Sequence, residues 1–370
     1  MIVGTLKEVK NNENRVALTP AKAKLLVNQN HQIVIEKNAG KGAGYSNEDY
    51  LSVGCEITND PKFIFDNSEL VLKVKEPLES EYKLLNAKST LFTYLHLAAN
   101  RKLTEALLKN NTLAIAYESV SLDQRNFPLL QPMSEIAGKL APQIAANFLE
   151  KQNGGLGVLI AGTKTVPPLN IAIIGAGTVG YNAAKIANGM GGKVYVFDVD
   201  DNKLQKIKEI QTDICTIYSS NENLSKHLPQ MNIIINGIHI PGASAPKIIT
   251  KEIQRKLKQN CLIIDVAIDQ GGSVENLYPT SHDDPVVSLE NNIFGYAVPN
   301  MPGIVPRTAS KALVEATFPY IEYVANNGIE YAIKNNIEIS NGVNIYKNNI
   351  TSEAIAKSLG MSYQSLSDII

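Results

Sequence analysis

Residues 170–200 read NIAIIGAGTVGYNAAKIANGMGGKVYVFDVD, and this stretch decides the fold. An apolar run at 170–174 feeds into Gly175-x-Gly177-x-x-Gly180, and a helical pattern starts at once. Glycines at this spacing let the chain turn tightly, let its backbone approach a pyrophosphate, and let helix and strand pack closely. The helix N-terminus then offers N–H groups and a partial positive charge to the phosphates. A second strand, KVYVF, ends in Asp198, 18 residues after Gly180. A carboxylate there accepts hydrogen bonds from the adenosine ribose and repels a 2′-phosphate. Strand, glycine loop, helix, strand and aspartate in that order predict a site for NAD on Gly175, Gly177, Gly180 and Asp198.

Outward from this unit, short β-branched runs alternate with helical patterns, as in α/β proteins. Downstream strands are expected near 213–217, 231–236, 261–266 and 295–298, completing about six. Upstream ones are expected near 2–6, 32–36, 70–74, 91–95 and 113–117. Thr19-Pro20 marks a helix start, threonine as N-cap and proline at the first helical position. The tail beginning SKALVEATFPYIEYVANNGIEYAI reads as mostly helical and is too short for a domain, so it should return to the N-terminal one. The expected fold is α/β: two Rossmann-like doubly wound parallel-sheet domains with a cleft between them. Residues 1–130 plus 305–370 form a discontinuous substrate domain, and 131–304 form the NAD-binding domain.

Composition narrows the function. The 370 residues are 44% hydrophobic, enough for sizeable cores, and carry 35 basic against 36 acidic side chains, a net charge of −1. That balance argues against nucleic acid or a membrane surface as partner. Cys55, Cys215 and Cys261 are far apart and in no metal or redox spacing, which suits a reducing compartment. No signal-peptide core or membrane-length apolar segment is visible. A soluble cytoplasmic protein without a metal is expected.

In open parallel sheets, ligands bind beyond the carboxyl ends of the strands. Arg15 lies in the loop after the first strand, Lys75 ends LVLKVKEP before Pro77, and His96 ends LFTYLHL. If the strands are parallel, these residues share an edge. Arginine offers a bidentate fork, lysine a point charge and histidine a proton carrier, a set suited to a small carboxylate. Each also has a plainer reading: solvated loop charges for Arg15 and Lys75, a hydrogen-bonded core histidine for His96. In CLIIDVAIDQGG, Asp265 reads as structural, while Asp269 is either a turn residue or a second acid–base group. His31, His227 and His282 read as loop or surface residues, and His239 is ambiguous.

Seven stretches together resemble the alanine dehydrogenase family: KEVKNNENRVALTP, VLKVKEPLESEY, LFTYLHLAA, PMSEIAGKLA, GAGTVGYNAAKIA, DVAIDQGG and VPNMPGIVPRT. The resemblance spans nearly the whole chain. It implies L-alanine + NAD⁺ + water ⇌ pyruvate + ammonium + NADH. It further implies that Arg15 and Lys75 hold the substrate carboxylate and that His96 and Asp269 transfer protons. Cofactor contacts are implied at Ser134, Thr178, Val179, Asp198, Lys203, Ser219, Ile238, His239, Val266, Ala267, Ile268, Asp269, Val298, Pro299, Asn300 and Met301. A homo-oligomer is implied, a hexamer favoured over a dimer.

Three departures stand out: Tyr278 replaces a frequent arginine, His239 replaces an aliphatic residue, and Pro142 should kink the helix it interrupts. Three other readings share parts of the pattern. They are a transhydrogenase α subunit, a saccharopine or lysine-forming dehydrogenase, and a non-catalytic NAD sensor. Reduction of NAD⁺ with alanine separates them.

Overall fold

The computed structural model describes residues 1–123, 126–210, 212–238 and 246–370. The chain divides into two compact units, Met1–Met133 with Gly303–Ile370, and Ser134–Pro302.

The first unit opens with β1 (Ile2–Thr5), β2 (Gln32–Glu36), β3 (Glu56–Thr58), β4 (Leu70–Leu72), β5 (Thr90–Thr93) and β6 (Leu113–Ala116). They pair in parallel in the order 3-2-1-4-5-6. The middle strands are short, almost wholly apolar and buried, as expected of a sheet covered on both faces. Thr19 stands at the N-cap of helix Pro20–Asn28 with extended backbone, but its side chain makes no capping hydrogen bond.

The second unit repeats the plan with β7 (Asn170–Ile174), β8 (Lys193–Asp198), β9 (Cys215–Tyr218), β10 (Ile233–Asn236), β11 (Leu262–Asp265), β12 (Val286–Ser288) and β13 (Phe294–Tyr296). Its parallel strands run 9-8-7-10-11-13, the doubly wound dinucleotide-binding order, with the short β12 antiparallel at the edge. Helix Gln131–Leu149 runs unbroken through Pro142, which carries no N–H for the helical ladder.

The tail is mostly helical, as expected, and adds a hairpin of β14 (Val343–Tyr346) and β15 (Asn349–Ile350), with β14 paired antiparallel to β6. One expectation needs correction: the strands β4 and β5 stop earlier than expected, at Leu72 and Thr93. Two ladder-type hydrogen bonds nevertheless continue beyond them, Lys73 N to Phe92 O and Tyr94 N to Val74 O, both 3.3 Å. The main chain therefore stays paired nearly to Lys75.

Each unit has its own core. In the first, Val34, Phe65, Leu91 and Leu103 pack with Ile345 and Ile350 from the returning hairpin. In the second, Ile174, Phe197, Ile234 and Ile263 lie at its centre. No helix among the described residues is long and apolar enough to cross a membrane.

Candidate active site

In the first unit β1, β4 and β5 are adjacent and parallel, so the segments leaving their carboxyl ends emerge along one edge. These segments carry Arg15, Lys75 and His96.

Arg15 is not a solvated charge. It is 2% exposed, and Glu13 grips it in a fork: Nε donates to Oε1 at 2.7 Å and Nη2 to Oε2 at 2.6 Å. Nη1 donates to Met133 Sδ at 3.1 Å. Burial opposes the guanidinium charge, but Glu13 more than offsets it and raises the Arg15 pKa. The sequence pointed to the arginine and missed its partner. The available signal was the acidic residue two positions upstream.

Lys75 is buried as well, and its carbonyl accepts Thr93 Oγ1 at 3.1 Å. The preceding amide, Val74 N, donates to Glu8 Oε1 at 2.6 Å. Glu8 also faces the fully buried Lys73, whose Nζ lies 3.5 Å from Glu8 Oε2 and 2.9 Å from Glu81 Oε1. Desolvation raises the Glu8 pKa, and the Lys73 charge only partly counters it. The stretch before Lys75 is thus fixed by a buried Glu–Lys–Glu set that sequence reading did not anticipate.

His96 is no core histidine. Its side chain is 49% exposed, and the Tyr94 ring stacks beside it with centroids 6.0 Å apart and planes within 5°. The His96 amide donates to Glu118 Oε1 at 2.6 Å.

In the second unit the glycine loop and Asp198 lie at the carboxyl ends of β7 and β8. Gly175 takes φ +95°, open to glycine, and its N–H donates to Phe197 O at 2.7 Å. A Cβ on Gly180 would lie 1.7 Å from Gly175 O, so only glycine allows helix Thr178–Gly189 to start this close to the loop. A Cβ on Gly177 would meet nothing within 4 Å. Turn, open approach and close packing are the three glycine roles that a bound pyrophosphate requires. Asp198 accepts Ala176 N at 2.6 Å on Oδ2 and Asp200 N at 2.9 Å on Oδ1, which ties the carboxylate to the glycine loop. Thr178 and Lys203 are exposed, and Val179 is half-buried. Ser219 N donates to Asp198 O at 2.8 Å, just past β9. Ile238 follows β10 and lies against Gly175. His239 lies outside the described residues.

Val266–Asp269 leaves β11, and Val298–Met301 follows β13. The two segments meet where Asn300 N donates to Asp269 Oδ2 at 3.1 Å, with Asp269 itself exposed. Asp265 is structural: fully buried, it accepts Asn236 Nδ2 at 2.8 Å and the amides of Ala267, Ser273 and Val274. Tyr278 is 73% exposed. Ser134 is half-buried near the start of helix Gln131–Leu149. One turn on, Gly138 admits close contact: a Cβ there would lie 2.3 Å from Val179 O. Sequence reading did not single out Gly138.

Comparison with known proteins adds to this geometry. Family models described as alanine dehydrogenase/PNT match in two parts, the N-terminal domain over residues 4–137 and the C-terminal domain over 141–353. A Staphylococcus haemolyticus protein named alanine dehydrogenase is 42% identical over 372 residues, covering 100% of this chain and 99% of its own. A solved structure titled L-alanine dehydrogenase superposes with TM-score 0.93 at 40% identity, over 97% of this chain and 99% of that one. A transhydrogenase from Sinorhizobium meliloti superposes with TM-score 0.81 at 20% identity, over 96% of this chain and 100% of that one; it shares the fold.

Proposed function

The chain belongs to the alanine dehydrogenase/PNT family, and on that premise we propose how its own residues carry the reaction. It is an NAD-dependent oxidoreductase that converts L-alanine and water reversibly to pyruvate and ammonium. The first unit takes the substrate, within residues 1–130 plus 305–370, and the second, within 131–304, takes NAD.

Arg15 and Lys75 hold the alanine carboxylate. Glu13 and Met133 fix the plane of the guanidinium, so the substrate meets an oriented group and little ordering remains for the moment of binding. The buried Lys75 adds a point charge from a backbone that Glu8 and Thr93 anchor. When bound, NAD⁺ supplies the hydride acceptor. Gly175, Gly177 and Gly180 shape the approach for its phosphates, and Asp198 takes the ribose diol. Thr178, Val179, Lys203, Ser219, Ile238, His239, Ser134, the Val266–Asp269 segment and Val298–Met301 are proposed as its further contacts.

Oxidation leaves an imine of pyruvate, which water must attack and ammonia must leave. His96 and Asp269 take and return the protons of these steps, since each is a titratable group exposed at a strand end. The observation that carries this reading is His96 itself: an imidazole half-exposed beyond β5, where a core histidine would be buried. The test is NADH formation from L-alanine and NAD⁺ by the wild-type protein and by His96→Ala. A folded variant with normal turnover would overturn the assignment.

We further propose a cytoplasmic homo-oligomer, a hexamer rather than a dimer. The three cysteines, free thiols in the structure, fit a reducing compartment. Light scattering of the purified protein decides the oligomer number.

A further inference from the structure

Among the described residues, positive φ outside glycine belongs almost entirely to asparagine, whose short amide tolerates it. The two exceptions are Lys347, in the hairpin turn between β14 and β15, and His96, with φ 49° and ψ 40°. A histidine held this way needs surroundings that fix it. Tyr94 stacks beside the ring and Ala99 N donates to His96 O at 3.1 Å, while the His96 amide is held by one carboxylate. Glu118 stands in the turn Tyr117–Ser119 directly after β6, and β6 pairs in register with β5. Its Oε1 and Oε2 accept Leu95 N at 3.1 and 3.2 Å, and Oε1 also accepts His96 N at 2.6 Å. The same Oε1 lies 3.9 Å from His96 Nδ1. The Glu118 side chain is 17% exposed against 49% for the imidazole, so the carboxylate is the more buried of the two.

We propose that Glu118 is the positioning residue for His96: its carboxylate bridges the two successive amides, holds the left-handed backbone, and sets the direction in which the imidazole reaches substrate. The inference rests on the reading of His96 as a proton-transfer group. Glu118 acts through His96 and does not touch substrate. Small displacements of a reacting group are costly, because rate depends on alignment to a fraction of an ångström.

The experiment is a double-mutant cycle on kcat with His96→Ala, Glu118→Ala and the combined variant, with Glu118→Gln as the conservative control. Glu118→Ala should lower kcat about 10–100-fold while the KM for NAD stays unchanged. Glu118→Gln keeps an oxygen that accepts both amides and should remain within about threefold of wild type. In the His96→Ala background, Glu118→Ala should change kcat less than about twofold, since the group it positions is gone. A structural residue would instead lower both backgrounds by the same factor, and that additivity would overturn the proposal. So would a Glu118→Ala protein with wild-type kcat, or a Glu118→Gln protein as slow as Glu118→Ala. If Glu118→Ala does not fold, Glu118→Asp takes its place in the cycle, because its shorter side chain withdraws the carboxylate from the Leu95 and His96 amides, and Glu118→Gln stays the control. Normal turnover in His96→Ala would remove the functional reading and this inference together. Low turnover there beside an unaffected Glu118→Ala removes the inference alone.

Discussion

Gly177 and Gly180 stand three residues apart in one loop, and replacing each by alanine should break different things. At Gly180 the new Cβ would lie 1.7 Å from Gly175 O, 2.8 Å from its carbonyl carbon and 3.3 Å from Ile173 Cγ2. Ordinary contact needs about 3.5 Å, so helix and loop must separate by roughly 1.5 Å or more. Overpacking of this kind costs about 1–3 kcal/mol, and the better helix propensity of alanine returns about 1 kcal/mol at most. Gly180→Ala should therefore lower the melting temperature of the unit by several degrees, about 2–4 °C for each kcal/mol lost. At Gly177 the backbone already has φ −70°, and a Cβ would meet no protein atom within 4 Å. The weaker N-cap and the stiffer unfolded chain nearly cancel, each being about 0.5–1 kcal/mol. Gly177→Ala should melt within about 2 °C of wild type. The methyl group nevertheless stands where a pyrophosphate would approach the main chain. Losing one hydrogen bond to a charged group is worth about 1.5–3 kcal/mol, so the NAD dissociation constant should rise about 10–100-fold. Differential scanning calorimetry and NAD titration calorimetry read the two effects separately. Wild-type affinity in Gly177→Ala would refute the assignment of this loop to the phosphates. A melting temperature as low as that of Gly180→Ala would refute the open space above it.

Asp198→Ala should relax the preference for NAD over NADP, measured as the ratio of kcat/KM values; because Asp198 also holds Ala176 N, NAD affinity should fall too. His96→Ala should leave the melting temperature nearly unchanged, because the ring is half-exposed, while kcat falls about 10²–10⁴-fold. Lys75→Ala should raise the alanine KM and spare NAD binding, as the residue lies in the first unit and the glycine loop in the second. Lys73→Met should cost about 3–5 kcal/mol in urea denaturation, since Glu8 and Glu81 stay buried without their cation. Burial alone would lower the Lys73 pKa, but Glu8 and Glu81 raise it above 10.5. Its stabilisation is therefore complete below the unfolded value near 10.5 and disappears as pH rises through the higher folded value, a dependence that Lys73→Met should lack.

The strand–loop–helix–strand turn of the second unit was legible because its signals are local. Gly175, Gly177, Gly180 and Asp198 fall within 24 residues, and each answers to one geometric need. The edge carrying Arg15, Lys75 and His96 was legible in position, because parallel strands fix which ends share a side. Their partners were not. Glu13, Glu8 and Glu118 reach their targets through loops whose course no periodicity predicts, and an acidic residue in a loop ordinarily reads as solvated. The hairpin of β14 and β15 escaped for a related reason. Its two-residue turn is Lys347-Asn348, both at positive φ, so the conformation is that of a tight hairpin turn without the usual Asn-Gly or Asp-Gly spelling. The β12 strand is only three residues long and gives no alternation to read.

That hairpin also sets a timetable. The buried strand β6 acquires its outer neighbour from β14, which the ribosome makes roughly 230 residues later, about 10–50 s at ordinary elongation rates. Until then the LAIA segment at the sheet margin offers its N–H and C=O groups to any other nascent chain. The intervening residues carry every strand of the other sheet, so that sheet can finish while the first still lacks its last two strands. Vectorial synthesis thus makes the interrupted unit the later to mature. Truncation just before residue 343 should yield chains that precipitate or recruit chaperones through the bare margin of β6.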